Sequence, residues 1–342
     1  MKKKINSIGI IGDMHFKDDL SYADYISDRR VSEKQNILDF VVKSFEDCKH
    51  IVFLGDNLNS RNNSSETNRS FVEFIERFGD KDIYIISGNH EKKGDGKTAI
   101  DFLGEVKKPN WHVLTKPSTF CLGDLEVDFL PYMLNRELGV ETTEEAVDHI
   151  LKELGGGDIL FTHHCISGTV FNGIKTEDLK EIVLPKEKVE EMYELAVAGH
   201  IHAPQQYGKV LITGNVFTTE VGEKEKFIYK IDENLKVEKI HLPIRQIHKL
   251  ENPSIEDLLK IPVSSIVKVV LSNKEIDFDK LEEHLLKFDA HLIIENYPSE
   301  RKKAHIEEGA FDFSLEAVLK LYAEAKKIDH QKLLKGLHII NG

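Results

Sequence analysis

The sequence of 342 residues has few cysteines and no long apolar run. Its three cysteines, Cys48, Cys121 and Cys165, are odd in number and show no C-x-x-C spacing. This usage indicates a reducing compartment and argues against structural disulfides. No segment approaches the roughly 20 apolar residues of a membrane span, and the apolar run behind the basic start is too short for a secretory signal. We therefore expect a cytoplasmic, or at least intracellular, protein without a membrane span.

The chain also lacks an excess of positive charge. Its formal net charge of −13 argues against broad electrostatic adhesion to nucleic acid or to an anionic membrane surface. A DNA substrate remains compatible with this balance, because bound divalent cations would invert the local sign at a carboxylate-rich site. With 40% hydrophobic residues, the chain can fill the core of one large domain and of a smaller one.

Five apolar runs that predict buried strands end in residues able to bind metal ions. The first run leads into Gly12-Asp13-Met14-His15. Residues i and i+2 of an extended segment share one side, so Asp13 and His15 are placed as a pair of metal ligands. The other four runs end in Gly55-Asp56-Asn57, Gly88-Asn89-His90-Glu91, Thr162-His163-His164 and Gly199-His200-Ile201-His202.

Helical patterns separate the first three of these strands. One begins with Ser32 as a plausible N-cap and extends to Phe45, and a second covers residues 66–78. Strands that alternate with helices predict a parallel sheet, and right-handed crossovers bring the carboxyl ends of its strands to one edge. We therefore expect the polar clusters to meet there.

The later part of the chain predicts a second sheet and a smaller unit. Residues 119–130 predict a hairpin that turns at Gly123-Asp124, and residues 143–154 and 186–194 predict helices. Runs at 210–213 and 226–232 predict further strands of the second sheet. Pro243 and Pro253 bracket the expected domain boundary. A small βαβ unit (strand 266–271, helix 277–288, strand 291–295), a polar linker at 297–308 and terminal amphipathic helices follow.

The polar residues at the five strand ends form one chemically consistent set. The set contains imidazoles, carboxylates and one amide but no thiolate. Such ligands suit borderline to hard divalent ions such as Mn²⁺, Fe²⁺ or Zn²⁺. The set contains more ligands than one ion needs. Two ions about 3.5–4 Å apart with a bridging carboxylate would use all of them, and such a pair is suited to in-line displacement at phosphorus. Taken singly, each histidine is explained equally well as a hydrogen-bonding loop residue, but five such accidents in one chain are improbable.

In order and spacing, the five motifs resemble the signature of the calcineurin-like metallophosphoesterases over residues 5–220. The resemblance implies an α/β fold, a four-layer α/β/β/α sandwich with a dinuclear site. One ion would be held by Asp13, His15 and His202, the other by Asn89, His163 and His200, and Asp56 would bridge them. A metal-activated hydroxide would attack phosphorus. In the family, the histidine that corresponds to His90 lies by the scissile phosphate and stabilises charge or protonates the leaving oxygen, which is general-acid work suited to an imidazole. A cysteine nucleophile at Cys165, beside His164, is a weaker alternative.

Within the superfamily, the layout resembles the SbcD-type DNA-repair nucleases, the family of the eukaryotic meiotic recombination nuclease. The second motif lacks the Gly-Asp-x-x-Asp-Arg-Gly pattern of the serine/threonine phosphatases, because Asn57-Leu58-Asn59 follows Asp56. The long loop after the first motif, Phe129-Leu130-Pro131-Tyr132 and the small unit after Pro243 favour the nuclease branch, and the length is close to that of nuclease subunits encoded by tailed phages. Asn59 is a departure, since these nucleases usually carry histidine there.

The nuclease resemblance implies a domain plan and partners. Residues 1–245 would form the nuclease domain, 246–298 a small α+β capping domain, and 299–342 a linker with C-terminal helices. An SbcC-type coiled-coil ATPase would dock on residues 315–326, although this amphipathic stripe could equally pack on the capping domain. The family also implies a homodimer. DNA would be the substrate, cut by exonuclease or endonuclease action in recombination and repair.

Two points stay open in this interpretation. Lys92, Lys93 and Lys97 follow His90 closely and could contact DNA phosphates, but a solvated loop is a comparable explanation. The cofactor would be two divalent ions, Mn²⁺ first and Fe²⁺, Zn²⁺ or Mg²⁺ as alternatives.

A second hypothesis is a stand-alone phosphodiesterase or phosphatase that acts on nucleotides or phosphoproteins. The hundred residues after Pro243 argue against it, because a small-molecule enzyme of this fold does not need them. An inactive scaffold conflicts with the intact ligand set.

Overall fold

The computed structural model describes residues 7–17, 27–93, 96–171, 173–218, 223, 225–245, 247–254, 256–257, 260–261, 265–271 and 291–296. The chain divides into two compact units, Met1–Glu295 and Asn296–Gly342. The helix predicted at residues 277–288, the linker at 297–308, the terminal helices and the expected docking stripe at 315–326 lie outside the described residues.

The described secondary structure begins with alternating strands and helices and continues with a mostly extended second half. The first half contains β1 (Ile8–Ile11), α1 (Ser27–Ser44), β2 (His50–Phe53), α2 (Ser65–Glu76), β3 (Asp82–Ile86), a 3₁₀ helix (Asp101–Val106), β4 (Trp111–Leu114), β5 (Ser118–Leu122), β6 (Leu125–Leu130), α3 (Asn135–Leu138) and α4 (Thr143–Glu153). The second half contains β7 (Gly157–Thr162), β8 (Cys165–Ile166), β9 (Val170–Phe171), β10 (Ile174–Lys175), a 3₁₀ turn (Thr176–Asp178), β11 (Val183–Leu184), α5 (Lys186–Met192), β12 (Tyr193–Ala198), β13 (Gln205–Tyr207), β14 (Val210–Ile212), β15 (Phe227–Ile231), β16 (Val237–His241), β17 (Ile247–Glu251), β18 (Ile266–Leu271) and β19 (His291–Asn296).

The first sheet has the strand order β16-β15-β1-β2-β3-β4. Strands β1 to β4 run parallel to one another, as the alternation of strands and helices predicts. Strand β15 pairs antiparallel with β1, so the prediction that residues 226–232 extend the second sheet is wrong. The apolar pattern of β15 shows that it is a buried strand, but it carries no information about which sheet edge the strand joins.

The second sheet has the order β13-β14-β12-β7-β6-β5. Its central strands β6, β7, β12 and β14 are parallel, and β5 joins β6 as the predicted hairpin. Gly123 turns this hairpin with a φ of 69°, a left-handed conformation that glycine adopts without steric cost. Residues 210–213 extend this sheet as predicted.

Three hydrophobic cores separate the layers of the fold. The middle core lies between the two sheets and joins side chains such as Ile10 and Val52 to Phe129 and Phe161. The outer face of the first sheet packs on α1 and α2, and that of the second sheet packs on α4 and α5. The central strands of the two sheets are therefore covered on both faces, which explains their nearly continuous apolar runs in the sequence. The predicted α/β/β/α sandwich is confirmed.

Helix boundaries agree with the sequence patterns to within two residues, except at the start of α1. This helix begins at Ser27 rather than at the predicted cap Ser32, because the residues between them include neither proline nor glycine and continue the helix. Helix α4 starts where predicted, and its N-cap Thr142 accepts a hydrogen bond from the Glu145 amide. Helix α5 ends at Met192, two residues early, because Tyr193 already belongs to β12.

A small sheet with the order β17-β18-β19 follows the sandwich in sequence. Strands β18 and β19 occupy the segments predicted for the βαβ unit, whereas β17, between Pro243 and Pro253, was not predicted. The division into domains 1–245, 246–298 and 299–342 stays a prediction. Within the described part of the chain, no helix combines the length and the apolar character needed to cross a bilayer.

Candidate metal centre

The predicted ligands lie together where the carboxyl ends of the strands of both sheets meet. From the first sheet, Asp13 and His15 follow β1, Asp56 follows β2, and Asn89 and His90 follow β3. From the second sheet, His163 follows β7, and His200 and His202 follow β12. The carboxyl edge of a parallel sheet is where such folds place their sites. The structure thus brings together every residue predicted to bind metal, while their binding roles remain predictions.

Glycines permit the close approach of these strand ends. A Cβ atom at Gly88 would lie 2.1 Å from Oδ1 of Asp56, and one at Gly199 would lie 2.5 Å from Oδ1 of Asp13. Both distances are far below any real contact, so a side chain at either position would displace a carboxylate. The glycine that precedes these ligands in sequence is therefore a packing requirement of the site.

The first ligand group consists of Asp13, His15 and His202, each of which offers an atom within 4.8 Å of the others. The Nε2 atoms of His15 and His202 lie 2.9 Å apart, and Nε2 of His202 lies 4.0 Å from Oδ2 of Asp13. The other oxygen of Asp13, Oδ1, accepts a hydrogen bond of 3.0 Å from the His200 amide. The carboxylate is thus fixed by one oxygen and faces the histidines with the other.

The second ligand group consists of Asn89, His163 and His200. Oδ1 of Asn89 lies 3.1 Å from Nε2 of His163 and 2.9 Å from Nδ1 of His200. Nδ1 of His163 donates to the Leu54 carbonyl at 2.5 Å, which leaves Nε2 as the nitrogen that faces the group. Three atoms that could bind a metal ion, from residues of both sheets, thus converge.

Asp56 lies between the two groups. Its Oδ2 atom is 3.3 Å from Nε2 of His163 and 3.9 Å from Nε2 of His15. Its Oδ1 atom accepts a hydrogen bond of 2.8 Å from the His90 amide. Asp56 is 1% exposed, so its carboxylate is turned entirely toward the cluster and is placed to serve both groups.

The electrostatics of the cluster suit a divalent cation. Burial raises the pKa of Asp13, and its Oδ2 atom has no hydrogen-bond partner within the described part of the chain. Burial alone would lower the pKa of His163, but Asp56 and Asp13 raise it to about 9. A proton on His163 thus compensates the buried carboxylates. A bound cation would take over that compensation, since metal binding displaces protons from its ligands.

His90 is the most exposed member of the cluster. Its side chain is 47% exposed, with Nε2 4.0 Å from Oδ2 of Asp56, and its ring makes an edge contact with His15 at 4.8 Å. Nδ1 lies 3.3 Å from the backbone carbonyl of Asn59. Asn59, the position where the resemblance to SbcD-type nucleases led us to expect a histidine, thus contacts His90 through its main chain.

Glu91, for which the sequence predicted no role, connects the ends of two strands through hydrogen bonds. Its buried carboxyl group accepts hydrogen bonds from the amides of Gly88 (2.8 Å) and Leu58 (3.0 Å) and from the Asn57 side chain. Burial, with the negative charge of Asp56, raises the pKa of Glu91 to about 8. Its place in the motif was visible in the sequence, but its function depends on contacts between strand ends.

Two further carboxylates lie behind the histidines, and no sequence pattern pointed to them. Glu181 lies 3.1 Å from Nε2 of His200, and Glu223 lies 3.3 Å from Nδ1 of His202. Both occur in segments without strand or helix periodicity. His164, by contrast, is fully buried and accepts a hydrogen bond of 3.0 Å from the Met133 amide, in keeping with a supporting role.

The three lysines after His90 have different surroundings. Nζ of Lys92 pairs with Glu137 at 3.1 Å, and the side chain is only 7% exposed. Lys93 and Lys97 are exposed on a turn closed by a hydrogen bond of 2.9 Å from the Lys93 amide to the Lys97 carbonyl. Contact with DNA stays a prediction for all three, and for Lys92 it competes with the ion pair.

The sandwich and its edge of imidazoles and carboxylates define a metal-dependent hydrolase of phosphate esters. The calcineurin-like phosphoesterase family matches residues 7–204, more than half of the chain, and the chain belongs to this family.

Similar solved structures include two phosphatases. A dimetal phosphatase from Danio rerio matches 70% of this chain and 99% of its own, at 13% identity and a TM-score of 0.43. A purple acid phosphatase from yellow lupin (Lupinus luteus) seeds matches 66% of this chain at 14% identity and a TM-score of 0.43, and the match spans 49% of that protein. No curated protein matches the chain.

Proposed function

We propose that this metal-dependent phosphoester hydrolase is a DNA nuclease that uses two divalent ions, Mn²⁺ first among them. The observation that carries the two-ion proposal is the place of Asp56, whose Oδ2 lies 3.9 Å from His15 of the first group and 3.3 Å from His163 of the second. When bound, such ions neutralise phosphoryl oxygens and activate water for attack on phosphorus. Asp13, His15 and His202 would hold one ion, Asn89, His163 and His200 the other, and Asp56 both.

His90 is placed to handle the proton that the leaving oxygen needs. In its imidazolium form, Nδ1–H donates to the Asn59 carbonyl at 3.3 Å, and Nε2–H faces the cluster on the same side as Asp56. A half-exposed imidazole at the mouth of the cluster can exchange protons with solvent between turnovers. His90 would therefore act as the general acid.

Two observations support DNA as the substrate. Lys93 and Lys97 are exposed on the turn that follows His90, where lysines would add sequence-independent affinity for the phosphate backbone. The chain also continues for about a hundred residues beyond Pro243, and a small-molecule enzyme of this fold does not need them. The resemblance to SbcD-type nucleases rests in part on the same extension.

The partners and the cellular setting belong to this proposal. We expect an SbcC-type coiled-coil ATPase to bind residues 315–326, and we expect the nuclease to form a homodimer. Exonuclease or endonuclease action in recombination and repair would place the protein inside the cell. The scarcity of cysteine supports that location, because it fits a reducing compartment.

Hydrolysis assays with His90→Asn test the proposed function. The wild-type chain with Mn²⁺ should degrade end-labelled duplex or single-stranded DNA, and His90→Asn should reduce the rate by about 10²–10⁴-fold, the range typical for loss of an acid–base catalyst. Metal content should be unchanged in the variant. His149→Asn is a suitable control, because this histidine is exposed on α4 and pairs only with Glu153 among the described residues.

The second candidate function is hydrolysis of a small phosphate ester or a phosphoprotein. The net charge of −13 favours it, because a chain so acidic repels long polyanions outside the site itself. Rapid turnover of an aryl phosphomonoester with intact DNA would contradict the nuclease proposal and select this one. Loss of bound metal in His90→Asn would instead reassign His90 as a ligand.

A further inference from the structure

The two ring nitrogens of His200 face different partners. Nδ1 lies 2.9 Å from Oδ1 of Asn89, within the second ligand group, whereas Nε2 lies 3.2 Å and 3.1 Å from the two oxygens of Glu181. An ionised carboxylate only accepts hydrogen bonds, so Nε2 carries a proton toward Glu181. In the neutral ring, Nδ1 then keeps its lone pair and faces another acceptor, Oδ1 of Asn89, an arrangement that a shared cation and not a hydrogen bond would satisfy. Only this tautomer can offer a ligand atom on the side of Asn89 and His163.

We propose that Glu181 is a positioning residue of the second ion site, which fixes the tautomer and the ring orientation of His200 by accepting its Nε2 proton. The inference rests on the proposed function only in taking His200 as a metal ligand. A carboxylate in this position also raises the basicity of the ligating imidazole, and loss of such a partner typically lowers metal affinity about 10–100-fold.

Glu181 is itself held in place by a neutral donor. The thiol of Cys165 lies 3.1 Å from its Oε1 atom. Parallel pairing of Val183 with Cys165 brings the segment of Glu181 beside the one that carries His163. Burial raises the pKa of the Cys165 thiol, which keeps it protonated as a donor and weakens the alternative of a cysteine nucleophile.

The ring of His200 is also clamped by aromatic side chains. The ring of Phe171 stacks on it at 5.7 Å and 18°, and Tyr132 lies 5.7 Å away at 37°. These contacts restrict tilting of the ring but leave open which of its nitrogens bears the proton. The hydrogen bond to Glu181 is therefore the contact that selects the tautomer.

Glu223, the corresponding partner of His202, differs in its charge environment. Nζ of Lys226 lies 2.7 Å from Glu223, and the Asn215 amide donates to it at 3.2 Å. Its negative charge is thus compensated by a lysine. Nε2 of His200 lies 3.1 Å from Glu181, so the charge of Glu181 acts on that ring. Glu181 should consequently matter more to its histidine than Glu223 does to His202.

Variants of Glu181 separate a positioning role from a structural one. Glu181→Ala removes the acceptor, whereas Glu181→Gln keeps an amide oxygen that can accept the same proton. Glu177→Ala is the matched control, because Glu177 accepts a hydrogen bond from Gly168 in the same loop and does not contact His200. Glu223→Ala serves as the control for the other group. If Glu181→Ala does not fold, Glu181→Met, which keeps the length of the side chain without an acceptor oxygen, replaces it.

Two readouts that do not depend on turnover should respond. Long-range ¹H–¹⁵N spectra of the metal-free protein should show His200 protonated at Nε2 in the wild type and in Glu181→Gln, but a mixture of tautomers in Glu181→Ala. Calorimetric titration with Mn²⁺ should show one of two ions bound about 10–100-fold more weakly in Glu181→Ala, with recovery in Glu181→Gln. An unchanged tautomer and unchanged affinities in Glu181→Ala would overturn the inference.

His200→Ala distinguishes failure of this inference from failure of the proposed site. If His200→Ala loses the weaker ion and Glu181→Ala does not, His200 is a ligand and Glu181 is not its positioning residue. If His200→Ala binds Mn²⁺ as the wild type does, the ligand assignment itself is wrong.

Discussion

The two sheets contribute different chemistry to the site they share. The first sheet supplies the carboxylates and the amide, namely Asp13, Asp56 and Asn89, together with His15. The second sheet supplies imidazoles alone, from His163, His200 and His202. The acids therefore lie on one side of the middle core and most of the histidines on the other, and neither sheet contains a complete ligand group.

The supporting contacts of the two sets also differ in direction. The carboxylates of the first sheet accept backbone hydrogen bonds, Asp13 from the His200 amide and Asp56 from the His90 amide. The imidazoles of the second sheet donate outward, His163 to the Leu54 carbonyl and His200 to Glu181. Each ligand is thus held by the contact that its chemistry permits. The comparison indicates that bound ions would join the sheets and that the sheets, once packed, would preorganise the ligands.

Removal of Asp56 should have the largest effect, because this carboxylate serves both groups. We expect Asp56→Ala to lose both ions and its hydrolytic activity, and to lose the thermal stabilisation that Mn²⁺ gives the wild type. That stabilisation is about 2.7 kcal/mol when the free ion is 100-fold above its dissociation constant. Metal analysis and melting curves with and without a chelator measure both effects.

His163→Ala provides the comparison for Asp56→Ala. Since His163 belongs to the second group alone, its loss should weaken one ion and spare the other. Asp56→Asn is a further control, because its amide oxygen can still accept from the His90 amide and preserve that turn. Equal metal loss in Asp56→Ala and His163→Ala would mean that Asp56 does not bridge.

Gly88→Ala should have a smaller effect on stability and metal binding, because the added atom displaces a residue of the first sheet without removing a ligand. The added Cβ would meet Oδ1 of Asp56 at 2.1 Å, so the carboxylate must shift. Overpacking of this kind typically costs about 1–3 kcal/mol of unfolding free energy, and we expect weaker Mn²⁺ binding as well. Denaturant unfolding and metal titration would measure these changes.

Gly104→Ala is the matched control for this substitution. Nothing lies within 4 Å of a Cβ atom at Gly104, in the 3₁₀ helix after β3, so stability should change by less than about 0.5 kcal/mol. If Gly88→Ala behaves in the same way, the close approach of β2 and β3 is not a requirement of the site.

The smallest effect should come from His50, at the amino end of β2 and far along the sheet from the ligands. Burial lowers the pKa of His50, although Asp82, 3.5 Å away, opposes the shift. The unfolded chain therefore binds the proton more readily, and the contribution of neutral His50 to stability is present above pH 6.5 and lost as the pH falls through the folded pKa.

Unfolding free energies of the wild type and of His50→Gln at pH 7 and pH 5.5, with chelator present, test this assignment. The wild type should lose more stability over this interval than the variant does. A parallel decrease in both proteins would assign the acid sensitivity to other groups. The site histidines are common to both proteins and cancel in the comparison.

Much of the fold was predictable because each buried strand has a continuous apolar run and ends at a glycine or a polar cluster. That regularity located β1, β2, β3, β7 and β12 and the residues after them. The sheet membership of β15 was not predictable, because edge pairing depends on tertiary packing. Glu181 and Glu223 were missed for a related reason, since their segments have no periodicity and their partners His200 and His202 lie 19 and 21 positions away.

His15 and His202 have Nε2 atoms only 2.9 Å apart, yet 187 positions separate them along the chain. During synthesis, a nascent polypeptide cannot complete the first ligand group until β12 and the turn after it have left the ribosome. Contacts of such long sequence separation form late, after local helices. Uptake of metal would therefore mark the end of folding rather than its start, and a chain that holds its ions would be one in which both sheets have docked.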